Sequence, residues 1–330
     1  MRLRLLSRAD VERALSMAAC IEGMKAAFAQ LSSGQATVPL RTQVPVAAHE
    51  GVALFMPAYL AQSGELGAKV VSVFPRNLAA GLPTLHAVVI LVDSATGVPT
   101  ALMDGTYLTA LRTGAASGAA TDLLARRDAR VAAIFGAGTQ GRTQLEGVCT
   151  VRHIERALVY DSDGERARRF VDELAARGAP FPAEMRVATS AAEAAEAADV
   201  ICTATTSTTP VFPGDRLRPG THINAVGAYT PQMQEVDAET IRRAKVVIDS
   251  RQASLVEAGD LIVPLRQGII AASHIHAELG EIVAGGKPGR ESADEITYFK
   301  SVGVAVQDMA AARLVLREAE RLGLGTVVEL

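Results

Sequence analysis

One turn constrains this 330-residue chain more than any other feature. The apolar run Val131-Ala-Ala-Ile-Phe135 is followed at once by Gly136-Ala-Gly138-Thr-Gln-Gly141, and then by a helical stretch. Glycine at 136 permits a tight turn, glycine at 138 lets backbone approach a pyrophosphate, and glycine at 141 lets the helix pack on its strand. The start of such a helix offers unpaired N–H groups and partial positive charge to phosphates. A second apolar strand ends in Tyr160-Asp161, which places a carboxylate where it accepts hydrogen bonds from a ribose. Glycine spacing alone is a weak sign. Strand, helix and acid together predict a Rossmann unit that binds a nicotinamide dinucleotide. Asp161 favours NAD by repelling a 2′-phosphate, while Ser162 and Arg166 leave NADP possible.

The surroundings agree with this reading. Residues 130 to 250 alternate helices with the apolar strands Val131–Phe135, Ala157–Tyr160, Val200–Thr203, Thr221–Val226 and Val246–Ile248. Such alternation implies a parallel sheet covered on both faces. Ahead of it, residues 10 to 31 read as one amphipathic helix with Asp10 as N-cap. The short β-rich runs Val44–Ala47, Val52–Met56, Lys69–Phe74 and Ala87–Val92 follow. Gly105 to Arg126 reads as a helix so rich in small residues that it needs a compensating close approach of another backbone. Leu255 to about Ile282 reads as short helices and loops. The last helix, about Val306 to Leu322, has no strand partner nearby in sequence. The expected fold is therefore α/β: a doubly wound Rossmann sheet (119–305) and, through the return of the last helix, a discontinuous α+β domain (1–118 plus 306–330).

Composition narrows the function. A net charge of −3 gives no electrostatic reason to bind nucleic acid or an anionic membrane. Cys20, Cys149 and Cys202 show no metal-ligand spacing, so no metal is expected. The start of the chain lacks a signal-peptide apolar region, and Ala87–Val92 is too short to span a bilayer. A cytoplasmic protein is the expectation.

Four polar residues in the first half are candidates for chemistry. Arg41 enters the β-rich region, Lys69 opens an apolar strand, His86 precedes another, and Arg112 lies in the small-residue helix. Taken singly, each reads more simply as a surface Arg, a strand-end Lys, a core His and a helix-surface Arg. Arg112 resists that reading, because an unpaired guanidinium among Ala110, Leu111, Gly114, Ala115 and Ala116 is very costly. A bound anion or an internal carboxylate resolves the cost. Converging cations would hold a substrate carboxylate, with Arg as a bidentate fork.

Several segments together resemble the ornithine cyclodeaminase/mu-crystallin family, which includes archaeal-type alanine dehydrogenases and ketimine reductases. They are Phe55-Met-Pro-Ala58, Gly67-Ala-Lys69, Gly81-Leu-Pro-Thr84, Thr109 to Ser117, Gly136 to Gln140 and Ile223-Asn-Ala-Val-Gly227. Further matches are Ala277 to Ile282, and Ile296 to Gly303 with Gln307-Asp308. The resemblance implies a Rossmann domain inserted into a substrate-binding and dimerisation domain that forms a homodimer, with Arg41, Lys69 and Arg112 around the substrate carboxylate and reacting carbon. It implies dinucleotide contacts from Thr84, Arg112, Thr139, Gln140 and Asp161. Thr203, Thr205, Asn224, Ala225, Val226 and Ser301 line the coenzyme cleft by the same comparison, and His86 gains no catalytic role.

Two departures from the family pattern bear on substrate. Ornithine cyclodeaminases carry a carboxylate ahead of the Met-Pro pair, where this chain has Leu54, and an Asp where it has Tyr229. Without these acids a diamine's cationic end loses its acceptors. The expected activity is NAD(P)H-dependent reduction of a cyclic ketimine, of the 1-pyrroline-2-carboxylate or 1-piperideine-2-carboxylate type, within proline metabolism. Ornithine cyclodeamination, oxidative deamination of an amino acid such as alanine, and a non-catalytic mu-crystallin-type binder are the rivals.

Overall fold

The computed structural model describes residues 1–330, which divide into two compact units. One is Met1–Arg112 with Val304–Leu330; the other is Thr113–Gly303. The breaks fall after Arg112 and Gly303, where the sequence reading sets them after 118 and 305.

The first unit is built on an eight-stranded sheet. Its order runs Thr326–Glu329, Arg2–Leu6, Pro99–Asp104, Leu85–Asp93, Glu65–Val73, Gly51–Leu60 and Ala36–Thr37, with Thr42–Val46 also paired to Gly51–Leu60. The helices Met17–Ser32 and Ala305–Leu322 pack on it. Period-two alternation sorts the strands: Leu54, Met56, Ala58, Leu60, Val71, Val89 and Leu91 are buried, while Val44, Phe55 and Val88 are exposed. Lys69 falls on the buried phase. It does not open its strand but lies inside Glu65–Val73, paired with Met56 on one side and Val89 on the other.

The expected helix over 10–31 is two helices, Arg8–Ala14 and Met17–Ser32. Asp10 is not the N-cap. Ser7 caps the first helix, and the Asp10 carboxylate returns a bond to the Ser7 backbone, a capping box. Ser16 interrupts the helix because its side chain caps the second one, accepting from Ala19 N. The last helix, Ala305–Leu322, belongs to this unit.

The second unit holds an all-parallel sheet in the order Glu184–Val187, Arg156–Tyr160, Val131–Phe135, Val200–Thr203, His222–Ala225, Thr297–Lys300, Lys245–Ile248 and Ile275–Glu278. The order reverses between Val131–Phe135 and Val200–Thr203, the crevice where dinucleotides bind in such sheets. Three strands escape the sequence reading: Glu184–Val187, Ile275–Glu278 and Thr297–Lys300. Each mixes polar with apolar residues, and the apolar-run criterion passes over them.

The small residues near Gly114 have the close approach they need. A Cβ at Gly114 would stand 2.2 Å from Thr143 O, and one at Gly147 would stand 2.2 Å from Gly114 O. The backbones of Gly105–Leu124 and Thr139–Val151 touch there. No helix is long and apolar enough to cross a membrane.

Candidate active site

The first unit brings three of the candidate residues towards one place. Lys69 is 1% exposed and Arg112 5%. Lys69 Nζ donates to Asp308 Oδ1 at 3.0 Å and stands 2.8 Å from Oδ2. Arg112 Nε donates to the same Oδ1 at 3.0 Å, and its Nη1 donates to Gln307 Oε1 at 2.8 Å. Gln307 is held in turn by Val304 N, which donates to its Oε1 at 2.9 Å. The guanidinium is thus not the free bidentate fork of the sequence reading; Nη2 is the nitrogen left uncommitted.

Arg41 is half-buried and immediately precedes Thr42, which pairs with Phe55. The next residue after Phe55, Met56, pairs with Lys69, and the Arg41 charge reaches that lysine. Burial, then Arg112, then Arg41 push the Lys69 ammonium down from 10.5 to about 8, against the opposing pull of Asp308. Among the buried side chains of this unit, Asp308 is the one carboxylate, and it serves two cations. A buried pair of cations with a single anion is electrostatically short of a negative charge. Leu54 lies on the same buried face as Met56, so no acid offsets this charge from that position. Thr84 is half-buried just before Leu85–Asp93, and its carbonyl accepts from Phe74 N at 2.8 Å. His86 is exposed, not a core histidine.

The second unit holds the turn that begins at Gly136. That residue adopts φ +101°, and a Cβ on it would stand 2.6 Å from Ala204 O. A Cβ on Gly141 would stand 2.2 Å from Gly136 O. A Cβ on Gly138 meets nothing within 4 Å, which is the open space a pyrophosphate needs. The helix Thr139–Val151 starts there without a side-chain cap on its first N–H groups, which can donate to a phosphate. These features fit a dinucleotide phosphate bridge. Asp161 Oδ2 accepts from Ala137 N at 2.8 Å and Oδ1 accepts from Asp163 N at 2.9 Å, which locks the turn. Each oxygen keeps a lone pair for a ribose hydroxyl. Arg166 Nη1 stands 3.7 Å from Asp161 Oδ1 on a half-exposed side chain, within reach of a 2′-substituent.

Thr203, Thr205, Asn224, Ala225, Val226 and Ser301 all lie at or just beyond the C-terminal ends of sheet strands, the edge that receives ligands. Several of their side chains are already engaged. Asn224 is buried, donating to Thr121 Oγ1 at 2.9 Å. Ser301 Oγ donates to Asp249 Oδ2 at 2.8 Å, beside Val302 N and Gly303 N. Thr203 Oγ1 donates to Glu235 Oε2 at 2.9 Å, while Thr205 donates to Oε1 from N at 2.6 Å and from Oγ1 at 2.8 Å. Gly227 N and Ala228 N complete the set on Oε2 at 2.7 and 3.1 Å.

The sequence model of the Ornithine cyclodeaminase/mu-crystallin family matches residues 2–322. The chain belongs to that family. It is 41% identical over 326 residues to a Delta(1)-pyrroline-2-carboxylate reductase of Bacillus cereus, covering 98% of this chain and 99% of the relative. A solved Delta(1)-pyrroline-2-carboxylate reductase of Thermococcus litoralis, in complex with NADH and L-proline, is similar at 49% identity and TM-score 0.94, covering 98% of this chain and 99% of that one. An archaeal alanine dehydrogenase dimer with bound NAD is similar at 37% identity and TM-score 0.93, with both chains covered in full.

Asp308, Gln307, Glu235 and Asp249 carry no role in the sequence reading. Gln307-Asp308 is visible there only as a matching motif. Glu235 sits in an irregular segment with no periodicity to mark it. Cys149 and Cys202 offer no nucleophile, since burial pushes their thiols up to about 12.

Proposed function

We propose that the protein is an NAD(P)H-dependent reductase of cyclic imino acids, with 1-pyrroline-2-carboxylate, giving proline, as the type substrate. The observation that carries this is the buried cluster of Lys69 and Arg112 around the single carboxylate of Asp308. A substrate carboxylate supplies the missing anion, anchored by Arg112 Nη2 and Arg41. The reduced nicotinamide supplies a hydride to the imine carbon, and the imine nitrogen must take up a proton. Lys69 holds one more weakly than an ordinary lysine does, which suits general acid work near neutral pH. One hydride and one proton added across C=N give the cyclic amino acid. The ring is left with Leu54 rather than an acid on the same face, which disfavours the second ammonium group of ornithine.

The coenzyme contacts we assign are Thr84, Arg112, Gly136, Gly138, Thr139, Gln140, Gly141, Asp161, Thr205 and Ser301, with Thr203, Asn224, Ala225 and Val226 acting mainly through backbone. The assay that tests this reading follows NADH against 1-pyrroline-2-carboxylate, ornithine and alanine. The expected result is imine-dependent NADH oxidation whose kcat/KM falls as pH rises through about 8, because the Lys69 ammonium is lost there. Ammonia release from ornithine without imine reduction would replace this reading with cyclodeamination, and alanine-dependent NADH formation alone with deamination.

We also propose a homodimer. Helices pack on one face of the first unit's sheet, while Val44, Phe55 and Val88 are exposed on the strand phase opposite its buried residues. A second copy covering that phase would bury apolar area worth about 25 cal/mol per Å². Sedimentation equilibrium giving a 34.5 kDa species at micromolar concentration would remove this part of the proposal.

A further inference from the structure

Glu235 is a buried carboxylate that the reaction above does not use. It receives five hydrogen bonds, all described above, and three come from backbone N–H groups that can only donate. Burial pushes its pKa up, as does Asp260, against the pull of Lys300 and the Thr205 bonds; the three backbone N–H groups, which cannot accept a hydrogen bond from a protonated carboxyl, favour the ionised form. Two further buried charges are joined to it. Asp260 Oδ1 accepts from Glu235 N at 2.7 Å and from Val236 N at 3.1 Å. Asp260 Oδ2 accepts from Lys300 Nζ at 2.8 Å and from Tyr298 Oη at 3.1 Å. Lys300 therefore balances one of two carboxylates, and one negative charge remains.

That charge lies directly against the loops at the ends of Val200–Thr203 and His222–Ala225. Gly227 lets it approach: a Cβ there would stand 2.4 Å from Glu235 Oε1 and 2.2 Å from Thr205 O. Asp161 marks the adenosine side of the crevice, at the end of Arg156–Tyr160. A dinucleotide crossing the glycine turn puts its other half over the strands beyond the switch point, which are these two. Hydride departure leaves a positive charge on the nicotinamide ring.

We propose that Glu235 is a positioning residue that also acts electrostatically, fixing the loops at this edge while its uncompensated charge favours the cationic, oxidised ring. The inference rests on the nicotinamide-dependent reading above. Fixed charge placed where charge develops in the transition state needs no reorganisation during the reaction. A unit charge acting over roughly 10 Å at an effective dielectric of about 20 changes affinity by about tenfold.

Direct titration of the full-length protein tests this, with NADH followed by its fluorescence and NAD+ by calorimetry. Glu235→Gln is expected to raise the Kd for NAD+ about tenfold more than the Kd for NADH. Lys300→Met, which deepens the negative charge, is expected to move the ratio the opposite way. Weakening of both forms by one common factor in Glu235→Gln would overturn the proposal, since a purely structural role acts on both alike. If neither variant folds, the wild-type ratio decides. NAD+ bound within about tenfold of NADH supports the proposal, and NADH bound more than tenfold tighter contradicts it. A wild-type protein that binds neither coenzyme would instead remove the reductase reading itself.

Discussion

Replacing Lys69 with methionine is expected to lower kcat for imine reduction by about 10²–10⁴-fold, the usual worth of a general acid, while NADH affinity survives. The same variant is expected to melt no lower than the wild type. Lys69 is fully buried and its ammonium is pushed down to about 8. Folding therefore prefers the neutral amine, and the chain carries a penalty of roughly 3 kcal/mol for keeping Lys69 protonated at neutral pH. The sign follows from proton counting. Between about 8 and 10.5 the unfolded chain binds a proton that the folded one has released, so this group's contribution to stability rises with pH. Methionine removes the penalty and leaves Asp308 in a one-to-one pair with Arg112. Thermal melts and single-turnover rates on the same preparation check both halves. Full activity in Lys69→Met would take Lys69 out of the mechanism, and a large fall in Tm would contradict the charge balance.

Asp308→Asn is expected to do the reverse on stability. It leaves Lys69 and Arg112 buried without an anion, and stripping one partner from a buried ion pair costs about 3–5 kcal/mol. The substitution also moves the proton. Asp308 is the group that raises the Lys69 pKa, so its loss lets burial and Arg112 lower it further. The falling limb of kcat/KM should therefore shift from about pH 8 towards lower pH. A destabilised variant whose limb stays in place would show that Asp308 supports the fold but does not set the Lys69 proton.

Much of the fold is legible in the sequence because its strongest signals are local. Val131–Phe135, the glycine turn and Asp161 report one strand, one helix start and the proposed ribose site, all within a short stretch of chain. The small-residue helix is legible for the same reason: Gly114 makes sense only if another backbone touches it, and Thr143 does. Strands such as Thr297–Lys300 are not legible, because a Lys in a central strand looks like a loop until Asp260 is found beside it. The candidate site is half legible. Burial of Arg112 follows from its neighbours, but its partner lies 196 residues away in sequence, and no spacing rule reaches that far. The uncommitted Nη2, rather than a free fork, is likewise a fact of three dimensions. Glu235 and Asp249 act through backbone donors, which leave no residue-type signature.

In the function proposed above, a buried excess of positive charge receives the substrate carboxylate. Calorimetric binding of L-proline and L-prolinamide to the NAD+-saturated protein tests it, since the two ligands share ring and shape and differ in that charge. Proline should bind at least about tenfold more tightly, the worth of one charge-assisted hydrogen bond at about 1.5–3 kcal/mol. Equal affinity for the two would contradict the account.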